Sequence, residues 1–198
     1  RRCYLTDERV DAQGTQFPHT MVIAAGLPDR GATMAGDFGE ILTYFYQGVT
    51  TLPRTAIGLK KWRLKQDRNK PAPYSDVVHL VLPDWPKPSA QDSVLCSEVK
   101  TKSTAAPSTP IQSSIEDCGK DRTSRLAKTL LWLRDRAITG SAEGADYHQL
   151  NRFIENAGLP ATDKRFQAVS VICESLVKAE IANVPSKASS DYTLVVIS

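Results

Sequence analysis

The sequence predicts an α/β fold, a mixed central sheet flanked by helices. Three features carry this expectation. Apolar residues recur at helical spacing over residues 36–47, and strand-like runs then fill residues 55–101. The remainder is mostly helical and closes on an apolar run at 193–197.

Taken in order, the first 34 residues read as an irregular N-terminal extension with a short strand near residues 21–24. Residues 35–198 form the main domain, with C-terminal helices packed on its core. In the helix at 36–47, Phe38, Ile41, Leu42 and Phe45 make the expected buried stripe, and Asp37 suits the positive end of the helix dipole. From 55 to 66 the period changes to two. Ile57 and Leu59 lead into Lys61, Arg63 and Lys65 on one face, with Trp62 and Leu64 on the other. The pattern predicts a long strand that leaves the core for a basic, solvent-facing end.

Pro71 and Pro73 mark a loop before a second strand at 76–82, rich in Val and Leu. Residues 83–88 close it, and a third strand spans 93–101. A Ser/Thr/Ala/Pro loop then runs to Pro110. Residues 111–118 and 121–137 form one helix or two, because Gly119 and Asp121 invite a break. A helix at 146–157 ends at Gly158, a C-cap, with Pro160 beyond. Residues 162–181 place Phe166, Val169, Ile172, Cys173, Leu176 and Val177 on one helical stripe, and 193–197 is a buried strand.

With 198 residues, 41% hydrophobic and 24% charged, the chain suits one domain, alone or with a small helical appendage. No stretch approaches the ~20 apolar residues of a membrane span, and no signal segment opens the chain, although a start at Arg1 fits a fragment. Cys3, Cys96, Cys118 and Cys173 are scattered without a C-x-x-C pair, which fits reduced thiols in a cytoplasm. Phosphate-binding loops of the G-x-x-x-x-G-K-[ST] or G-x-G-x-x-G type are absent, so any ATP belongs to a partner. The net charge of +3 is modest, but Lys60, Lys61, Arg63, Lys65, Arg68 and Lys70 cluster against Asp67 alone. Such a cluster suits a phosphate backbone, or equally a strand edge protected by lysines.

The chemistry concentrates on the second and third strands. Glu98 and Lys100 are two residues apart, so both point from one face, roughly 7 Å apart, while Leu95 and Val99 take the other. Asp76 heads the preceding strand and Glu40 sits on the upstream helix, so three carboxylates and a lysine converge. Hydrolysis of a phosphodiester needs that set. Asp76 and Glu98 would ligate Mg²⁺ or Mn²⁺, Lys100 would hold the water or the developing charge, and Glu40 would bind the metal directly, through water, or at a second position.

These pieces carry a resemblance. Gly39-Glu40 on a helix, Pro73-Tyr74-Ser75-Asp76, and Glu98-Val99-Lys100 resemble the PD-(D/E)xK nuclease superfamily, whose restriction-endonuclease-like core has a helix with an acid, a hairpin with Asp and (D/E)-x-K, and a covering helix. More narrowly, GDFGEIL, KKWRLKQDRNKPAPYSDVVHLVL and LCSEVKTKS resemble the nuclease subunit of the Hachiman antiphage defence system. Here Pro73 stands a residue or two away from the position directly before Asp76, and the loop after Lys100 is small and polar rather than aromatic. The resemblance implies a DNA-cleaving effector restrained by a larger helicase-like ATPase, with the helices after residue 140 as docking surface and Lys61, Arg63 and Lys65 contacting DNA.

Other candidates carry plainer readings. Asp37 is an alternative to Glu40. His79 should face away from Asp76 and pack, and His19 and His148 lack partners at recognisable spacing. Gln112 and Glu116 suit a phosphate or metal contact, or capping and solvation. Arg122, Arg125 and Lys128 read as a solvated basic face or as a flank for a duplex. Trp62 and Trp85 read as packing residues.

Overall fold

A computed structural model describes residues 3–140, 144–155, 157–184 and 189–198. The chain enters through two short helices, α1 (Asp7–Gly14) and α2 (His19–Gly26), followed by the long α3 (Ala32–Thr51). Strand β1 (Ala56–Gly58) leads into a 3₁₀ turn at Lys61–Leu64, then β2 (Val77–Val81) and β3 (Ser93–Lys102). Helix α4 (Pro110–Lys120) passes through a π-helical turn, Asp121–Arg125, into α5 (Leu126–Ile138). The short α6 (Tyr147–Asn151), β4 (Asp163–Ile172), α7 (Glu174–Ala182) and β5 (Thr193–Ile197) complete the order.

The five strands form one mixed sheet in the order β1-β2-β3-β4-β5. The first three are antiparallel neighbours, with Val77 opposite Ser97 and Val78 opposite Cys96. Strands β4 and β5 add in parallel, with Glu98 opposite Ala168. This is the α/β architecture that the sequence predicts. One face carries Val78, Leu80, Val94 and Cys96 against Leu126, Leu130 and Leu133 of α5 and Leu150 of α6. The other carries Val77, Val99, Val169 and Val171 against Leu42 and Tyr44 of α3. Because β-strand side chains alternate, Asp76, Glu98 and Lys100 share the face of α4 and α5, while Ser97 and Thr101 turn towards α3.

Five elements differ from the sequence expectation. Residues 3–34 are not irregular and contain no strand near 21–24: α1 and α2 pack on each other through Leu5, Val10 and Val22. The long basic strand does not form; β1 stops at Gly58, and the 3₁₀ turn that follows swings Lys61 and Trp62 into the interior. Gly58 permits this because Tyr44 occupies the space where a Cβ would stand. Residues 163–172 are a strand rather than the start of a helix. A parallel strand covered on both faces has a near-continuous apolar run, which periodicity alone does not separate from a buried helix. The last strand lies at the sheet edge and is half-exposed rather than buried.

Helix α3 departs most sharply. Its buried residues are Asp37, Gly39, Glu40, Thr43, Gln47 and Thr51, whereas Phe38 and Phe45 are exposed. Spaced by three and four, the polar residues form their own stripe: Lys65 pairs with Asp37, Trp62 with Glu40 and the sheet with Gln47, while Thr51 bonds back to Gln47 O and Thr43 Oγ1 has no partner among the described residues. Gln47 donates to Ser97 Oγ and to Gln167 Oε1, and its Oε1 lies 2.7 Å from His79 Nδ1. The helix lies close to β3 at Gly39, where a Cβ would come within 2.1 Å of Thr101 Oγ1 and 3.4 Å of Val99 Cγ1. Replacing Gly39 with Val should therefore destabilise the fold by about 1–3 kcal/mol through overpacking. Urea unfolding measures this, and an unchanged midpoint would show that the helix can retreat.

Candidate functional site

The site gathers at the end of β2 and the middle of β3. Glu98 is 2% exposed, and both its oxygens are taken: Oε1 accepts from Lys100 Nζ at 2.7 Å and Oε2 from Arg125 Nη1 at 3.1 Å. Lys100 also donates to Asp117 Oδ2 of α4 at 2.7 Å. The i, i+2 reading of Glu98 and Lys100 thus places both on one face, in direct contact. Asp76, half-buried, accepts the Val99 N–H on Oδ2 at 2.8 Å, while Oδ1 takes no protein hydrogen bond among the described residues. Glu40 reaches the same cluster from α3, and its Oε2 accepts from Trp62 Nε1 at 2.9 Å.

The crowded charges act on one another, and burial acts on all of them. Burial, then repulsion from Asp76, pushes Glu40 up to about 8. Burial and the same neighbour raise Glu98 to about 7. Asp76 itself is raised by burial, against the pull of the Val99 hydrogen bond and Lys61. Asp121 rises to about 6 through burial and Glu98. Lys61 is lowered by burial although Glu40 and Asp76 oppose that shift. Burial alone would lower Lys100, yet its hydrogen bonds to Asp117 and Glu98 prevail and raise it. Asp117 falls to about 2 because the lysine contacts outweigh its own burial.

The three basic residues expected on a solvent-facing strand go elsewhere. Lys61 is 1% exposed, and its Nζ donates to Ser75 O. Lys65 closes a buried ion pair with Asp37 at 2.6 Å, an acid that also accepts from Tyr4 Oη at 2.8 Å. Arg63 is half-buried and donates to Leu5 O at 3.4 Å. That pairing removes Asp37 as an obvious substitute for Glu40. His79 packs away from Asp76 against Tyr44, as its odd spacing predicts, and burial lowers it to about 4, so it is neutral. Gln112 and Glu116 bond to each other at the surface.

The sequence does not single out Asp117, Asp121 or Arg125 as site residues, and Arg125 reads there as part of a solvated basic face or of a flank for a duplex. Their spacing was the available signal. Positions 117, 121 and 125 fall every four residues on the helical segment after the Glu98 strand, so they share one face. Arg122, by contrast, does face outwards and pairs with Asp191 at 3.0 Å.

The donors are carboxylate oxygens, which suit a hard cation. Among the described residues no three His, Cys, Asp or Glu side chains form a ready-made metal cage. Mg²⁺ needs no such cage, since it keeps most of its waters and takes one or two carboxylates. Burial is the first cause of the raised acids, and for Glu40, Glu98 and Asp121 repulsion from a neighbouring carboxylate is the second.

A raised carboxyl makes its stability contribution below its unfolded value and loses it as pH rises through the folded one. For Glu40 that window runs from 4.5 to about 8. Glu40→Gln should therefore flatten the fall in thermal midpoint between about pH 5 and about pH 8.5 in metal-free buffer. An equal slope in the variant and the parent would show that Glu40 is not held protonated.

A search of curated proteins returned no match. Residues 2–197 match the family model described as HamA, and the chain therefore belongs to the HamA family of Hachiman-associated proteins.

Proposed function

We propose that the chain is a metal-dependent deoxyribonuclease of bacterial antiphage defence, working in the cytoplasm with a PD-(D/E)xK, restriction-endonuclease-like core. One observation carries the reading: Asp76, Glu98 and Lys100 meet on one face of two adjacent antiparallel strands. Glu40 adds a fourth charge from α3. Membership of the HamA family supports the defence setting.

Asp76 and Glu98 would hold Mg²⁺ or Mn²⁺ with Glu40 at the margin, and the bound cation supplies an acidified water and neutralises phosphate charge. Lys100, kept protonated between Glu98 and Asp117, would orient the attacking water and stabilise charge growing on the phosphate. Arg125, about a quarter exposed, offers a second cation at the same acid. Both cations exchange Glu98 for the substrate phosphate as the site loads.

A nuclease free among its host's DNA is a hazard, so the proposal includes a larger helicase-like partner that restrains it and binds the ATP. The outer face of α3 supports a docking role, with Phe38, Phe45, Val49 and Leu52 exposed along one stripe. No helix among the described residues is long and apolar enough to cross a membrane.

A second reading is a subunit that binds DNA without cutting it. The observation in its favour is Glu98, whose two oxygens are already satisfied by Lys100 and Arg125. Plasmid cleavage with Mg²⁺, Mn²⁺ or EDTA separates the two. Cleavage should need the metal, and Glu98→Ala and Lys100→Ala should each lower its rate by about 10²-fold or more. Undiminished cleavage in either variant rejects the site. Salt-dependent DNA binding without cleavage, unaltered by Glu98→Ala, favours the second reading.

A further inference from the structure

Ser75 directly precedes Asp76, is fully buried, and commits each of its polar groups to a different element. Its N–H donates to Thr129 Oγ1 of α5 at 3.1 Å, its hydroxyl donates to Asp121 Oδ1 at 2.9 Å, and its carbonyl accepts from Lys61 Nζ. Tyr74, just before it, adopts φ 65, a left-handed conformation that bulky side chains rarely take. The backbone entering Asp76 is thus held in place by its surroundings. With Oδ2 of Asp76 fixed by the Val99 N–H, the direction of Oδ1 depends on that main chain.

Asp121 is the least expected of these braces. It is 1% exposed, and its Oδ2 has no hydrogen-bond partner among the described residues. An apolar side chain would fill the same volume without the cost of a buried charge. Asp121 also opens the π turn, in which the Leu126 N–H reaches back five residues to Asp121 O. Such turns concentrate at functional sites. This one directs Asp121 to Ser75 and Arg125 to Glu98, so a single distorted turn meets both strands of the site.

We propose that Asp121 is a positioning residue of the site, acting through Ser75 to aim the free oxygen of Asp76 at an incoming divalent cation. The proposal rests on the metal-dependent reading above.

Calorimetric titration of Mn²⁺ into the full chain tests it, with urea midpoints measured in parallel. Ser75→Ala and Asp121→Ala should each weaken Mn²⁺ binding about tenfold, and the double variant should be within about threefold of the weaker single. Asp121→Asn still accepts the Ser75 hydroxyl and should stay within about threefold of the parent. Additive losses, or parental affinity in Asp121→Ala, overturn the proposal while leaving the metal site standing. Should Asp121→Ala not fold, parental affinity in Ser75→Ala overturns it equally. A parent chain that binds no Mn²⁺, or an Asp76→Asn variant that binds it as the parent does, removes the metal site and the positioning role together.

Discussion

Five carboxylates, Glu40, Asp76, Glu98, Asp117 and Asp121, crowd around the ends of β2 and the middle of β3, with Lys61, Lys100 and Arg125 as the cations among them. Taking an ion out of water costs several kcal/mol unless a partner and hydrogen bonds compensate it. Much of the local architecture answers that demand. The 3₁₀ turn buries Lys61 where Glu40, Asp76 and Asp121 all feel it. The same turn places the Trp62 indole on Glu40. The π turn brings Arg125 to Glu98, and α4 brings Asp117 to Lys100. Even so, burial keeps four of the acids raised, Asp121 to about 6, Glu98 to about 7, Glu40 to about 8, and Asp76 with them.

The demand also explains why α3 buries a polar stripe and exposes an apolar one. A helix beside this site must deliver Glu40 and provide Asp37 for Lys65, so its inner face is polar over that length. Further along, Gln47 extends the polar contact into a network with His79, Ser97 and Gln167. Each member is hydrogen-bonded, which makes such a network a specifier of register between helix and sheet rather than a liability. The apolar residues displaced to the outside, Phe38, Phe45, Val49 and Leu52, leave a surface of a kind associated with partner docking.

The proposed chemistry follows from the same imbalance. A divalent cation between Asp76 and Glu98 would supply the charge that the protein lacks there. Lys100 and Arg125 would be released towards a phosphate, a group that takes their place as the counter-ion. Under this reading Glu98, which accepts from both Lys100 and Arg125, would pass from them to the divalent cation.

The sequence alone determined the mixed α/β class, the two strands it placed at 76–82 and 93–101, which the structure has at 77–81 and 93–102, and the shared face of Glu98 and Lys100, because alternation along a strand is a local property of the backbone. It also determined that His79 faces away from Asp76. Only the tertiary structure decided where the basic run from Lys61 to Lys65 would go. Period two describes a strand facing water, but the pull of buried acids some twenty residues upstream and fifteen downstream turned the chain inward, and local patterning contains no trace of that. Residues 163–172 became a strand for a related reason: the slot between β3 and β5 rewards the buried, mostly apolar run at 168–172 whichever helix-like period it also satisfies. Asp117 joined the site from α4, and Asp121 and Arg125 because a π turn aimed them there. Their four-residue spacing was visible, but their destination depended on long-range charge, which acts through space and not along the chain.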